Sequence, residues 1–260
     1  MKKINIFMAI GLVLVMLVGA CTSTVQSDFS SGTQNTGTPQ SSEGRVVFAV
    51  TDAAADMGDV TSVKVTVDSV KVHSETEGWV TVSSSQKTYD LLQLKSQGRQ
   101  ELLADAQLKE GTYDQLRLDI SNVVVTDASG SHEAKLPSGE LKINGNLFVE
   151  ANATSTATFD FIADESIHVT GNGKYIMAPV VQVETKSDAD AQIGNDNEVE
   201  IKGGSVRTNI KVGMDLDGNV GVNVRVPSNA NITIDSSGIV KIGSGNAKSN
   251  TNIGVGIGTE

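Results

Sequence analysis

From Arg45 onward apolar and polar positions alternate with a period of two, the pattern of strands that bury one face. In "VTSVKVTVDSVKVHS", Val63, Val65 and Val67 share a face. Val70 and Val72 continue that face after a one-residue phase change at Asp68-Ser69, which predicts a bulge or bend. The same alternation predicts strands at 46–50, 79–82, 88–94, 113–120, 123–126, 154–162 and 174–185, and only 99–108 reads as a short helix. So many short strands in about 140 residues predict an all-β protein, an Ig-like, Greek-key β-sandwich over residues 45–186. A polar, turn-forming stretch, "KSDADAQIGNDNE", then reads as a linker. Beyond it, from Val199 to Glu260, there is no Phe, Tyr or Trp. Ile210, Val212, Met214 and Leu216 face Val220, Val222, Val224 and Val226 across Asp217-Gly218-Asn219, predicting a hairpin. A second hairpin joins "NITID" to "IVKIG", and "NIGVGIG" makes a last strand. Residues 187–260 are therefore expected to be a linker and a small β-hairpin-rich module with a thin aliphatic core.

Ahead of the strands the pattern changes. Lys2 and Lys3 precede a nearly uninterrupted apolar run from Ile4 to Ala20, the charged and apolar regions of an export signal, and the run is short for a membrane span. Val18-Gly19-Ala20-Cys21 resembles the lipobox of prokaryotic lipoproteins, in which residues 1–20 are removed and the cysteine becomes the lipidated first residue. Cys21 is the only cysteine in the chain, so it has no disulfide partner. Residues 22–44, rich in Ser, Thr, Gly and Gln, carry too little apolar surface to fold and read as a flexible stalk. The expected location is the cell envelope, outside the cytoplasm, on a membrane through the lipid.

Composition narrows the partners. Without the signal the chain holds 18 basic and 31 acidic residues, a formal charge of −13, which repels phosphate backbones and excludes nucleic acid. His73, His132 and His168 are far apart in sequence and form no HExxH pair. No GxSxG elbow, phosphate loop or dinucleotide fingerprint is present. No enzymatic activity is expected. "GMDLDGNVGVNV" has two carboxylates of an EF-hand loop, but Gly213 and Val224 stand where the anchoring acids belong, so it reads as a turn. Asp52, Asp56 and Asp59, in one loop after the first strand, are the candidate calcium ligands; no other cofactor is indicated. Asn152 and Asn231 each begin an N-x-T sequon.

Gly111 and Tyr113 open the alternating strand in "LKEGTYDQLRLDI", a pattern similar to the tyrosine corner of Greek-key sandwiches. Both are expected to be structural, as is Trp79. Arg117, opposite the Leu116 and Leu118 face, is expected in an outward salt bridge. In order, "TYDLLQL", "ELLADAQLKEGTYDQLRLDI", "KLPSGELKI", "ATFDFIADESI" and "GKYIMAPVVQVET" resemble the prokaryotic domain of unknown function 4382 over roughly residues 45–185. Ala54 stands where that family commonly has proline. The resemblance implies an exported or lipid-anchored β-rich surface protein and supplies no catalytic residues. The leading expectation is a non-enzymatic surface lipoprotein in adhesion, assembly or envelope architecture, meeting a protein or a surface polysaccharide. The C-terminal strand, free of charge until Glu260, would allow self-assembly. The alternative is a carbohydrate-binding module. For that reading Trp79 is the only tryptophan platform, and its exposure or burial discriminates.

Overall fold

The structure, a computed structural model, describes residues 42–54, 56–227 and 230–243, all within one compact unit, Pro39–Glu260. Cys21, the stalk and "NIGVGIG" lie outside the described residues. In chain order the elements are β1 (Glu43–Asp52), β2 (Ser62–Ser74), β3 (Gly78–Ser83), β4 (Lys87–Asp90), α1 (Leu91–Gln97), β5 (Glu101–Lys109), β6 (Gly111–Asp127), β7 (Gly130–Glu133), β8 (Glu140–Val149), β9 (Thr154–Phe161), α2 (Ala163–Ser166), β10 (Ile167–Val169), β11 (Tyr175–Met177), β12 (Val180–Ile193), β13 (Val199–Met214), β14 (Val220–Val222), β15 (Asn231–Ile234) and β16 (Val240–Gly243).

The protein is an all-β sandwich. One sheet runs β14-β13-β12-β9-β1-β5, with β1 and β9 parallel and the other neighbours antiparallel. The second is built on the long pair β2 and β6, with β3 and β4 end to end along β2, and β7 and β8 end to end along β6. Between the sheets, Val46, Phe48, Val50, Phe159 and Phe161 of the first pack with Val63, Val65, Leu116, Leu118, Leu141 and Leu147 of the second in one buried cluster. These residues follow the period-two alternation, which carries every second side chain inward. The phase change at Asp68-Ser69 appears as a register shift between Val67 and Ser69, where Asp68 turns outward to accept hydrogen bonds from Gln86 and Ser121, each 2.7 Å.

Local pattern and tertiary pairing disagree in two places. Residues 101–108 of the stretch 99–108, expected as a helix, lie in β5, and 91–94, expected in a strand, open α1. The helix has its own signals: Asp90 caps its N-terminus, Leu91 and Leu94 share its buried side, and Gly98 ends it at φ 61°. The helix-favouring residues of "ELLADAQLK" are instead recruited by the free edge of β1, whose backbone groups pair from Glu43 to Val50. β8 lies outside the predicted strands, although Leu141, Ile143, Leu147 and Val149 all face the core.

The boundary expected at 186/187 falls inside β12. The predicted linker continues the strand, and only residues 194–198 turn. Past the register shift at Thr185 and Lys186, with Asp188 at φ 55° and Gly203 and Gly204 at 63° and 80°, the far half of the β12–β13 hairpin bends into an arm. The arm packs on the outer face of the first sheet. Ala191 and Val199, with Ile193 and Ile201, cover Val47 and Ala49 of β1. Arg45 donates to the Ala191 carbonyl at 2.9 Å, and Val199 N–H donates to Gln100 O at 2.8 Å. β15 and β16 form the expected second hairpin, whose Ile232 packs with Ile176 and Val226.

Candidate functional site

The outer face of the second sheet carries the candidate site. On β3, Val80 and Val82 lean on the core, so Trp79 and Thr81 point away from it. Register places Trp79 beside His73, His73 beside Gln115 and Gln115 beside Asn144; the next row places Thr81, Lys71, Arg117 and Lys142 together. Trp79 is 40% exposed. Expected as a structural residue, it stands on the surface because its strand is the edge of the sheet.

Its surroundings are ordered by charge. The Arg117 guanidinium lies over the indole, 4.3 Å from the ring centroid, and donates to Glu140 at 2.9 Å. That is the outward ion pair expected for Arg117, with a cation–π contact added. The His73 ring lies 5.2 Å from the indole at 55°, and its Nδ1 is 2.7 Å from Asp114. One row further, Asp119 accepts from Lys71 Nζ at 2.6 Å and from Ser69 Oγ. Burial pushes the Asp119 carboxyl up, but the Lys71 and Ser69 hydrogen bonds and the Lys71 charge outweigh it and hold the group below the usual carboxylate range. The face is thus a polar lattice with one aromatic plane set in it.

The three carboxylates expected to hold calcium do not converge. Even-numbered residues of β1 face the core, so Asp52 follows Val46, Phe48 and Val50 inward, is 6% exposed, and accepts from Ala163 N–H at 3.1 Å. Asp56 accepts from Gly58 N–H within its own turn, and Asp59 is exposed. Among the described residues no three acidic, histidine or cysteine side chains are placed to share a metal ion. The rejected EF-hand segment is a turn, with Asp215 accepting from the backbone of Asp217 and Asn219.

Two other clusters were not legible in the sequence. Asp127 accepts from Ser129 Oγ and Tyr175 Oη, each at 2.7 Å, and His132 Nε2 contacts both Ser129 Oγ (2.8 Å) and Asp127 (3.2 Å). A nucleophilic triad needs opposite ring nitrogens for serine and carboxylate, whereas here one nitrogen meets both, so the cluster ties the β6–β7 turn to β11. The bond to Asp127 pushes the Tyr175 hydroxyl up to about 12. An open cleft of about 870 Å³ lies beside α2 and β10, lined by Glu165, His168, Arg225 and Ile232 among others. Burial pushes the His168 imidazole down, and Glu165 is engaged by Lys211 at 2.6 Å. Gly111 takes φ 148°, and the buried Tyr113 hydroxyl donates to Lys109 O at 3.2 Å, four residues back. Asn152 and Asn231 are both exposed.

Fold and site together define a β-sandwich protein whose hairpin arm covers Val47 and Ala49 on one outer face and whose other outer face is a polar lattice around a single tryptophan. The family model for the domain of unknown function DUF4382 matches residues 43–179, more than half of the chain, and the chain belongs to that family. The match includes Trp79, His73, Arg117 and Glu140 and ends just before β12, so the arm lies beyond it. No curated protein and no solved structure matches the chain.

Proposed function

We propose that the protein is an exported surface lipoprotein without enzymatic activity. Residues 1–20 are its signal, Cys21 carries the lipid that holds it on the outer side of a membrane, and residues 22–44 set the sandwich away from the bilayer. The sandwich acts in adhesion, assembly or envelope architecture through the outer face of its second sheet. The difference between the two outer faces carries this reading. The arm packs over the first at Val47 and Ala49 of β1, while the second presents Trp79 at 40% exposure with its orientation held by Arg117 and His73. Large exposed aromatics on rigid strands are favoured anchors for binding. The net charge of −11 disfavours nucleic acid as the partner. A carbohydrate-binding module is the second reading, and the exposure of Trp79 is the observation that favours it.

The test is association of the Cys21→Ser chain with washed cell-envelope material. Trp79→Ala is expected to abolish sedimentation with the envelope, and Glu184→Ala, on the first sheet, to leave it intact. Equal sedimentation of all three proteins would remove the second sheet as the binding face.

A further inference from the structure

Resting on the reading of this face as a binding surface, we infer that its ligand is an uncharged pyranose unit of a polysaccharide, stacked on Trp79. A sugar ring has a patch of C–H groups on one side and a rim of hydroxyls. Its complement is one flat π-face, on which the polarised C–H groups rest, bordered by donors and acceptors. The face has that composition. Trp79 is the only exposed large hydrophobic residue on this sheet among the described residues; the others, Val169, Val206, Val222, Ile239 and Ile242, belong to other elements. Beside it stand His73 and Thr81, with Arg117 over the ring and Gln115 one strand beyond His73, all able to hydrogen bond.

Other ligand classes fit less well. A protein partner calls for an apolar core around the anchor, and here every outward neighbour in the two rows is polar. A quaternary ammonium ligand requires a cage of aromatic faces free of positive charge, whereas the Arg117 guanidinium sits 4.3 Å from the indole centroid. An anionic sugar would need an excess of cations, whereas Glu140, Asp119 and Asp114 offset Arg117, Lys71 and His73, and Lys142 alone in these rows has no carboxylate partner among the described residues.

The platform is also set before binding. Glu140 holds Arg117, Arg117 covers one side of the ring and His73 supports it, so little rotamer freedom remains to be lost. Arg117 and Glu140 are positioning residues for the indole.

The experiment is native affinity electrophoresis of the full-length chain carrying Cys21→Ser, in gels containing a neutral β-glucan, a neutral mannan, starch or a polyuronate. At least one neutral polysaccharide is expected to retard the protein. Trp79→Ala should weaken that retention roughly ten-fold or more, and Trp79→Phe should keep part of it. Unchanged melting midpoints would show that the effect is not unfolding. The inference is overturned if no neutral polysaccharide retards the protein, if only the polyuronate does, or if Trp79→Ala migrates as the unsubstituted protein does. Envelope association separates the two levels. Association lost in Trp79→Ala without retention by any neutral polysaccharide removes the ligand class and leaves the binding face. Association that survives Trp79→Ala removes the face itself.

Discussion

At the scale of single residues, Asp52 has the most direct consequence. Its carboxyl is buried at the end of β1, one oxygen accepts from Ala163 N–H, and the other has no hydrogen-bond partner. Burial, opposed by the Ala163 and Ala54 N–H groups, pushes its pKa up from 3.8 to about 6. Below pH 4 both folded and unfolded chains hold this proton. Between pH 4 and 6 only the folded chain keeps it, so this group's contribution to stability falls as pH rises through that window and is constant above it, a change of about 1–2 kcal/mol once solvent screening of this carboxyl is allowed for. Burial pushes Asp160 in the same direction, whereas Asp119, held low by Lys71 and Ser69, loses its stabilising effect as pH falls. Comparing Asp52→Asn with the unsubstituted protein isolates the one group. The variant keeps an acceptor for Ala163 and should be about 1–2 kcal/mol more stable at pH 7.5, with the advantage disappearing near pH 4. Urea titrations at both pH values measure it, and a constant difference between the two proteins would show that Asp52 does not titrate in this range.

At the scale of elements, the arrangement depends on places where two segments nearly touch. Gly213 in β13 lies under the chain that follows β14: a Cβ at this position would stand 1.9 Å from Val224 O. The predicted hairpin is therefore only partly a ladder. Val220 to Val222 pair with Val212 to Met214, after which the backbone crosses over Gly213, so Val224 and Val226 leave the sheet. Gly213→Ala forces this crossing apart. It is expected to cost about 2–4 kcal/mol, because the obstructing atom is backbone and cannot move aside as a side chain could. A fall in melting midpoint of several degrees checks it, and a midpoint within one degree of the original would mean that the crossing relaxes freely. Loss of the crossing should also loosen Val226 from Ile176 and Ile232, the cluster that holds the β15–β16 hairpin.

At the scale of the whole molecule, the proposed binding face on the second sheet would meet an envelope partner only if the chain is exported. Cys21 is the only thiol and follows Val18-Gly19-Ala20. On the proposed lipoprotein reading, acyl chains there would contribute about 0.8 kcal/mol per buried CH₂, enough for a multiply acylated cysteine to hold the protein on a bilayer. Among the described residues no helix is long and apolar enough to cross one. In the native host, Cys21→Ser is expected to abolish incorporation of labelled fatty acid and to leave the protein released or unprocessed. Labelling and membrane fractionation equal to those of the unsubstituted chain would exclude the lipid anchor.

Local chemistry encodes the faces and caps of individual elements. Period-two alternation assigned the inward faces of β2 and β6, because a side chain's face follows from its place in the pleat, and the phase change at Asp68-Ser69 marked the register shift, whereas Val46 to Val50 of β1 is apolar throughout and shows no face by its pattern. Asp90, Gly98 and the leucines between them are sufficient to signal α1, against the alternation that predicts a strand over 88–94. Tertiary structure decided what depends on partners distant in sequence. "ELLADAQLK" is a strand because β1 offers it an edge, and 187–193 is strand because β13 pairs with it while Val47 and Ala49 give the arm an apolar floor. Asp52 turns inward, away from Asp56 and Asp59, because the pleat of β1 carries it to the core. The surface at Trp79 exists only because β2, β6 and β8 lie side by side. Cross-strand register then delivers Arg117 and Glu140 to an indole that neither approaches along the chain.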